Sequence, residues 1–170
     1  MKALVVYDSK FGNTEKVAQA IGAAIGPAIG AALAPQMGVA VVNVADARPE
    51  QLVGVDLLLV GSPTWGSRPT PAITRWLKGL PSRGLKGVQV AGFDTRGDMS
   101  QVDSRFVTAL VGILGFAAKP ISARLEKKGG IVAVQPEGFI VLDREGPLKE
   151  GELERAAAWA RQIVTTSSTA

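Results

Sequence analysis

The apolar positions of this 170-residue chain alternate between two periods. Ala3 to Tyr7 (ALVVY) is an unbroken apolar run of strand length, the pattern of a strand buried on both faces. From Thr14 the spacing becomes helical: Val17, Ala20, Ile21, Ala24 and Ile25 share one face, and Gly26-Pro27 predicts a stop. An Ala- and Gly-rich connection leads to a second strand over Val39–Val44, a short turn or helix started by Pro49, and a third strand over Asp56–Gly61. Thr70 as a cap and Pro71 in the first turn open a helix with Ile73, Trp76, Leu77 and Leu80 on one face. Val88–Phe93 is the fourth strand. Phe106, Ala109, Leu110 and Ile113 predict a helix in the long connection after it, and Ala117–Lys128 predicts another. Ile131–Val134 and Gly138–Leu142 are extended, and Leu153, Ala157, Ala160 and Val164 mark a last helix. Residues 1–165 are expected to form a single domain and 166–170 a disordered tail.

Strands separated by helices imply an α/β fold: a doubly wound parallel sheet with right-handed crossovers and helices on both faces. Ligands on such sheets bind outside the carboxyl ends of the strands, where strand order reverses. The connections after the first, third and fourth strands therefore hold the candidate chemistry: Asp8 to Thr14, Ser62 to Thr70 and Asp94 to Phe116.

Composition narrows that chemistry. The chain has no Cys and no His, which removes disulfides, thiolate or imidazole metal sites and every nucleophilic dyad that needs His as its base. Chemistry at neutral pH is left to perturbed carboxylates or lysines, or to a bound cofactor. The net charge of +4 is spread along the chain without basic runs, and only nine residues are aromatic, so nucleic-acid binding is not expected. Residues 17–45 carry no charge, but Pro27, Pro35 and four glycines interrupt them, which argues against a membrane span. The first residues lack the apolar core and cleavage site of a signal peptide, so a cytoplasmic protein is expected.

The first connection, Tyr7 to Lys16 (YDSKFGNTEK), places small, hydroxylated and Gly residues between a strand and a helix. Asn13 or Thr14 reads as an ordinary helix start. The same turn aims unpaired backbone N–H groups at the positive end of a helix, which suits an anion. No G-x-G-x-x-G follows the first strand, no G-x-x-x-x-G-K-[ST] is present because the Gly61 to Gly66 spacing runs into Ser67-Arg68, no carboxylate ends the third strand as a phosphoacceptor site requires, and G-x-S-x-G is absent.

Ser9-Lys10-Phe11-Gly12-Asn13-Thr14 resembles the flavodoxin phosphate loop, [ST]-x-[TYF]-G-x-T, at the same place in the fold. Gly61 to Gly66 (GSPTWG) is similar to the segment that lays a Trp against the flavin, and Ala91 to Asp98 (AGFDTRGD) takes the place of the ring-edge loop. The resemblance runs nearly end to end. It implies a five-stranded sheet of order 2-1-3-4-5 and FMN as cofactor. It further implies a phosphate held by Ser9, Thr14 and the N–H groups of Lys10 to Thr14, with Gly12 allowing close approach. Pro63, Thr64, Trp65 and Gly66 would flank the ring, Trp65 stacked on it and Gly66 beside N5. Phe93, Asp94, Thr95, Arg96 and Gly97 would border its edge. As the one cation in that loop's first turn, Arg96 is expected either near N1 and the C2 carbonyl, or solvated or paired with Asp94 or Asp98.

Three features depart from that pattern. The third loop lacks the Tyr that many flavodoxins stack on the outer ring face, leaving Phe93 or Phe106 to replace it or the face open. The loop is long, and the chain is basic where electron-carrier flavodoxins are acidic. The resemblance thus implies an electron carrier with a redox partner protein, monomeric or weakly homo-oligomeric. An FMN-dependent NAD(P)H:quinone reductase acting on a small quinone is the alternative, and a flavodoxin-fold domain that has lost FMN a further one.

Overall fold

The computed structural model describes residues 1–28, 38–98 and 115–167. Strands β1 (Ala3–Tyr7), β2 (Val39–Asn43), β3 (Leu57–Pro63), β4 (Gln89–Gly97), β5 (Ile131–Val132) and β6 (Glu137–Val141) form one parallel sheet. Its order is β2-β1-β3-β4-β5, with β6 also on β4. The fifth position is therefore shared by two strands. Gln89 and Val90 pair with β5, and Phe93 to Gly97 pair with β6.

Helices α1 (Asn13–Ala28), α2 (Pro71–Gly79), α3 (Ala118–Lys127) and α4 (Glu152–Ser167) cover both faces. A 3-10 turn, Pro49–Leu52, precedes β3. Because side chains alternate along a strand, β1 feeds two cores at once. Ala3, Val5 and Tyr7 pack under α1 and α4 with Leu57, Leu59, Ala91 and Phe93. Leu4 and Val6 pack under α2 and α3 with Leu58, Val60, Val90, Ile73, Leu77, Ile121 and Leu125.

Several boundaries differ from the sequence expectation. Helix α1 runs past Gly26 and holds Pro27 as its last residue but one, so the helix stops one residue after the proline rather than before it. Helix α4 buries Ala156, Trp159, Ala160, Ile163 and Val164, whereas Leu153 is exposed and Ala157 half-buried. The buried face includes Trp159, which joins Phe93 and Phe139 in an edge-to-face triangle with centroids 6.2 to 6.4 Å apart. The same helix continues through Thr166 and Ser167. The helix expected over Phe106–Ile113 lies outside the described residues. Among the described residues, no helix is long and apolar enough to cross a membrane.

Candidate functional site

The carboxyl ends of β1, β3, β4 and β6 open into a cleft of about 490 Å³, a size suited to a small organic ligand. Four short segments line it: the loop after β1, residues 63–66, 95–98 and 141–144.

In the first segment β1 ends on Tyr7, whose hydroxyl donates to Glu15 Oε1 at 2.8 Å. Burial, and then that bond, raise the Tyr7 pKa above its ordinary value. Gly12 turns the chain at φ +82°, with open space where a Cβ would stand, and α1 begins. Ser9 Oγ accepts the Glu15 N–H at 3.3 Å. The buried Thr14 hydroxyl shares a 2.8 Å hydrogen bond with the Thr95 hydroxyl, joining the loop to β4. Asn13 Nδ2 donates to the Glu145 carbonyl at 2.9 Å and so ties down the loop after β6. The first helical bond of α1 runs from Lys16 N–H to Gly12 O, at 3.0 Å. Ahead of it, the N–H groups of residues 10–14 meet no acceptor among the described residues. They stand at the positive end of a 16-residue helix, and their grouping suits an anion with several oxygens.

The second segment is pinned before it reaches the cleft. Ser62 Oγ accepts from Thr70 N–H, and Thr64 N–H donates to Thr95 O. Trp65 and Arg68 exchange two backbone bonds, at 2.8 and 3.1 Å, around Gly66 at φ +52° and Ser67 at φ +63°. Two successive positive φ values define a tight primed turn. The turn holds the Trp65 ring 45% exposed. Lys10 Nζ lies 3.9 Å from the centroid of that ring and 5.6 Å from that of Phe11, bridging the two aromatics of the cleft mouth.

The third segment departs most from expectation. Asp94 to Gly97 belong to β4, which runs four residues beyond the predicted strand because β6 supplies a ladder partner for them. Phe93 is in the core, not in the cleft wall; its ring lies over Gly61, where a Cβ would collide with it. Asp94 is also fully buried and outside the wall. Its carboxylate takes Arg96 Nε at 2.6 Å, Arg96 Nη2 at 2.8 Å and the Ala118 N–H at 2.7 Å. Burial lifts the Asp94 pKa above the ordinary aspartate value, against the pull of Arg96 and of the Ala118 N–H. Thr64 Oγ1 accepts the neighbouring Ala117 N–H at 3.0 Å. Helix α3 has no side-chain cap of its own, so Thr64 and Asp94 satisfy its leading N–H groups from across the sheet.

Arg96 lines the cleft, stacked 3.8 Å from the Phe116 ring and occupying space that Gly138 leaves free by lacking a side chain. The structure thus gathers Ser9, Lys10, Phe11, Asn13 and Thr14 with Pro63 to Gly66 and Thr95 to Gly97. Gly12 shapes the loop from behind. Phe106 lies outside the described residues, as does most of the connection it belongs to. Sequence reasoning missed Asp98 and Val141 to Arg144 in the wall. The available signal was Gly138–Leu142, an apolar run whose carboxyl end reaches the same edge as the other strands.

No protein-family model matches the chain. Among solved structures, it superposes on a flavodoxin from the domain Archaea with a TM-score of 0.74, at 21% identity over 99% of both chains. Flavodoxin 1 from Bacillus cereus gives 0.71 at 17% identity, covering 97% of this chain and 98% of that one. Rubredoxin oxygen:oxidoreductase from Desulfovibrio gigas gives 0.71 at 16%, covering 99% of this chain and 36% of the larger protein. With this strand order, these helices on both faces and the cleft at the carboxyl edge, the chain has the flavodoxin fold.

Proposed function

We propose that the cleft binds FMN and that the protein passes electrons one or two at a time between redox partners, as a flavodoxin-like carrier. The observation that carries this reading is the run of unaccepted N–H groups from Lys10 to Thr14 at the start of α1, flanked by two hydroxyls. A phosphate monoester fits that seat. Bound there, FMN supplies the electron chemistry that a chain without His or Cys lacks in its side chains.

The chain's own residues bind and orient. Ser9 Oγ accepts from Glu15 N–H, which leaves its proton for a phosphate oxygen. With Thr95 as donor, the Thr14 proton is free for the same use. Backbone donors supply most of the positive field, so the seat needs no paired cation. The indole of Trp65, held on its primed turn, gives a flat apolar wall that excludes water from one side of the cleft. Lys10 covers that indole, and a ring stacked on Trp65 takes its place.

A second reading, an NAD(P)H:quinone reductase, is favoured by one observation. Among the described residues, Phe11 and Trp65 are the only aromatics in the wall, and residues 95–98 contribute none. A ring face left uncovered there admits a small quinone. On either reading a cytoplasmic protein, monomeric or weakly homo-oligomeric, is expected.

Titration of the purified protein with FMN and with riboflavin tests the proposal by absorption and gel filtration. FMN is expected to co-elute and riboflavin to bind far more weakly. Equal affinity for the two would remove the phosphate seat, and no retention of either would leave a flavodoxin-fold domain without flavin. Steady-state oxidation of NAD(P)H by a quinone then separates reductase from carrier.

A further inference from the structure

Cations that are scattered along the sequence collect on one face. Helix α2, residues 80–88, helix α3 and the turn at residues 128–130 carry eight basic residues and one acidic residue, Glu126. That is a formal +7 on this face against +4 for the whole chain, so the remaining residues sum to −3. Among the described residues none of the eight is ion-paired.

Six of them, Lys78, Arg83, Lys86, Arg124, Lys127 and Lys128, cluster further, at the amino-terminal end of the strands. Both helices run antiparallel to the sheet, so their last turns lie at that end. Lys128 Nζ donates to the Lys78 carbonyl at 3.1 Å and to that of Leu80, and Leu85 N–H donates to Lys128 O at 3.1 Å. Gly129 sits directly against the backbone of Arg83 and Lys86. Lys78, Arg124 and Lys127 complement the carboxyl ends of their helices, which is a local reason for a cation. Arg83 and Lys86, on an exposed loop, have no such reason.

Two exposed aliphatic side chains share this end. Ile131, the first residue of β5, is 52% exposed, and Val53, whose carbonyl receives Lys2 Nζ, is 73% exposed. The nearby Asp56 already accepts the Lys2 N–H at 2.7 Å.

We propose that this end of the molecule is a docking surface for an anionic lipid bilayer. Exposed lysines and arginines attract the negative surface potential of such a leaflet, each adding attraction within a Debye length, and protruding aliphatics partition into its interface. A nucleic acid would use the cations but has no need of Val53 and Ile131, whereas a bilayer interface uses both. The nine-residue β4 spans roughly 30 Å between this surface and the cleft, so docking orients the cleft away from the membrane. The inference is independent of what the cleft holds.

Flotation of the full chain with vesicles tests it, comparing phosphatidylcholine alone with vesicles containing about one third phosphatidylglycerol. Binding is expected only to the anionic vesicles and to weaken with added salt. Lys78→Glu, Lys86→Glu and Lys127→Glu together should lower the affinity by roughly a hundredfold or more, since each reversal removes an attraction and adds a repulsion. The same number of reversals elsewhere, at Lys16, Arg48 and Arg161, should leave most of it. Val53→Ser with Ile131→Ser, which changes no charge, should weaken binding several-fold, and circular dichroism checks the fold of every variant. The proposal is overturned if wild type ignores anionic vesicles at low salt, or if both sets of reversals act alike. Tighter binding to duplex DNA or to an acidic polypeptide than to anionic vesicles would also overturn it.

Discussion

Arg96 grips the buried Asp94 carboxylate with two parallel hydrogen bonds, so the cation nearest the third segment of the cleft is already neutralised by its neighbour two residues back. Its expected effect is structural first. Arg96→Gln leaves a buried carboxylate held only by the neutral Ala118 N–H and Thr64 hydroxyl, and should cost about 3–5 kcal/mol in urea unfolding. A loss below about 1 kcal/mol would mean that the carboxylate does not depend on the guanidinium. Because the charge is paired, flavin potentials compared in protein that remains folded should move little.

The anion seat predicts a selective loss. Ser9→Ala with Thr14→Ala should weaken FMN far more than riboflavin, measured by fluorescence titration. Each deleted hydroxyl to a charged phosphate should cost about 1.5–3 kcal/mol. Thr95→Val should weaken FMN by less, acting through the 2.8 Å bond that holds Thr14 in place. Parallel losses for both flavins would count against the seat.

Trp65 is predicted to form the wall against which the ring lies. Trp65→Ala should loosen flavin by about 1–3 kcal/mol, the scale of a buried aromatic contact. Quenching on FMN addition should vanish in Trp65→Phe if this residue dominates the signal over the more enclosed Trp76 and Trp159. An unchanged affinity would leave Trp65 as an ordinary loop residue.

Acid should loosen the junction between β6 and α4. Glu152 is buried, which by itself raises its pKa. Hydrogen bonds from Arg155 and from the Ile140 N–H outweigh burial and hold the pKa below the ordinary glutamate value. A depressed folded-state pKa means stabilisation that is present above the unfolded pKa and lost as pH falls through the folded one. Urea midpoints should therefore decline on acidification through and below the usual carboxylate range. Glu152→Gln should be less stable at neutral pH and decline less steeply, the two curves converging in acid. Parallel curves would show that Glu152 does not carry the effect.

Much of this was legible in the sequence where one residue's neighbours in the chain are also its neighbours in space. Thr70-Pro71 predicted the start of α2, and Thr70 Oγ1 accepts the Ile73 N–H at 3.4 Å. The alternation of apolar runs announced the strands, since a strand buried on both faces needs no polar side. The first loop could be read because a turn, a Gly at positive φ and a helix start are all local.

Tertiary structure decided what depends on pairs distant in sequence. Asp94 and Thr64 are polar residues at strand ends, which sequence reasoning assigned to a ligand. The fold uses them as remote caps, because Ala117 and Ala118 have no polar side chain with which to cap α3 themselves. Phe93 was assigned to the flavin edge, but strand alternation and the space over Gly61 put its ring in the core beneath α4. The charge pattern changed meaning most. Lys78, Lys86 and Lys127 are dispersed along the chain, and no run of cations marks them. Right-handed crossovers put α2 and α3 on the same face of the sheet, and because both run antiparallel to the strands their last turns lie at the same end, so a mild net charge becomes one strongly basic surface.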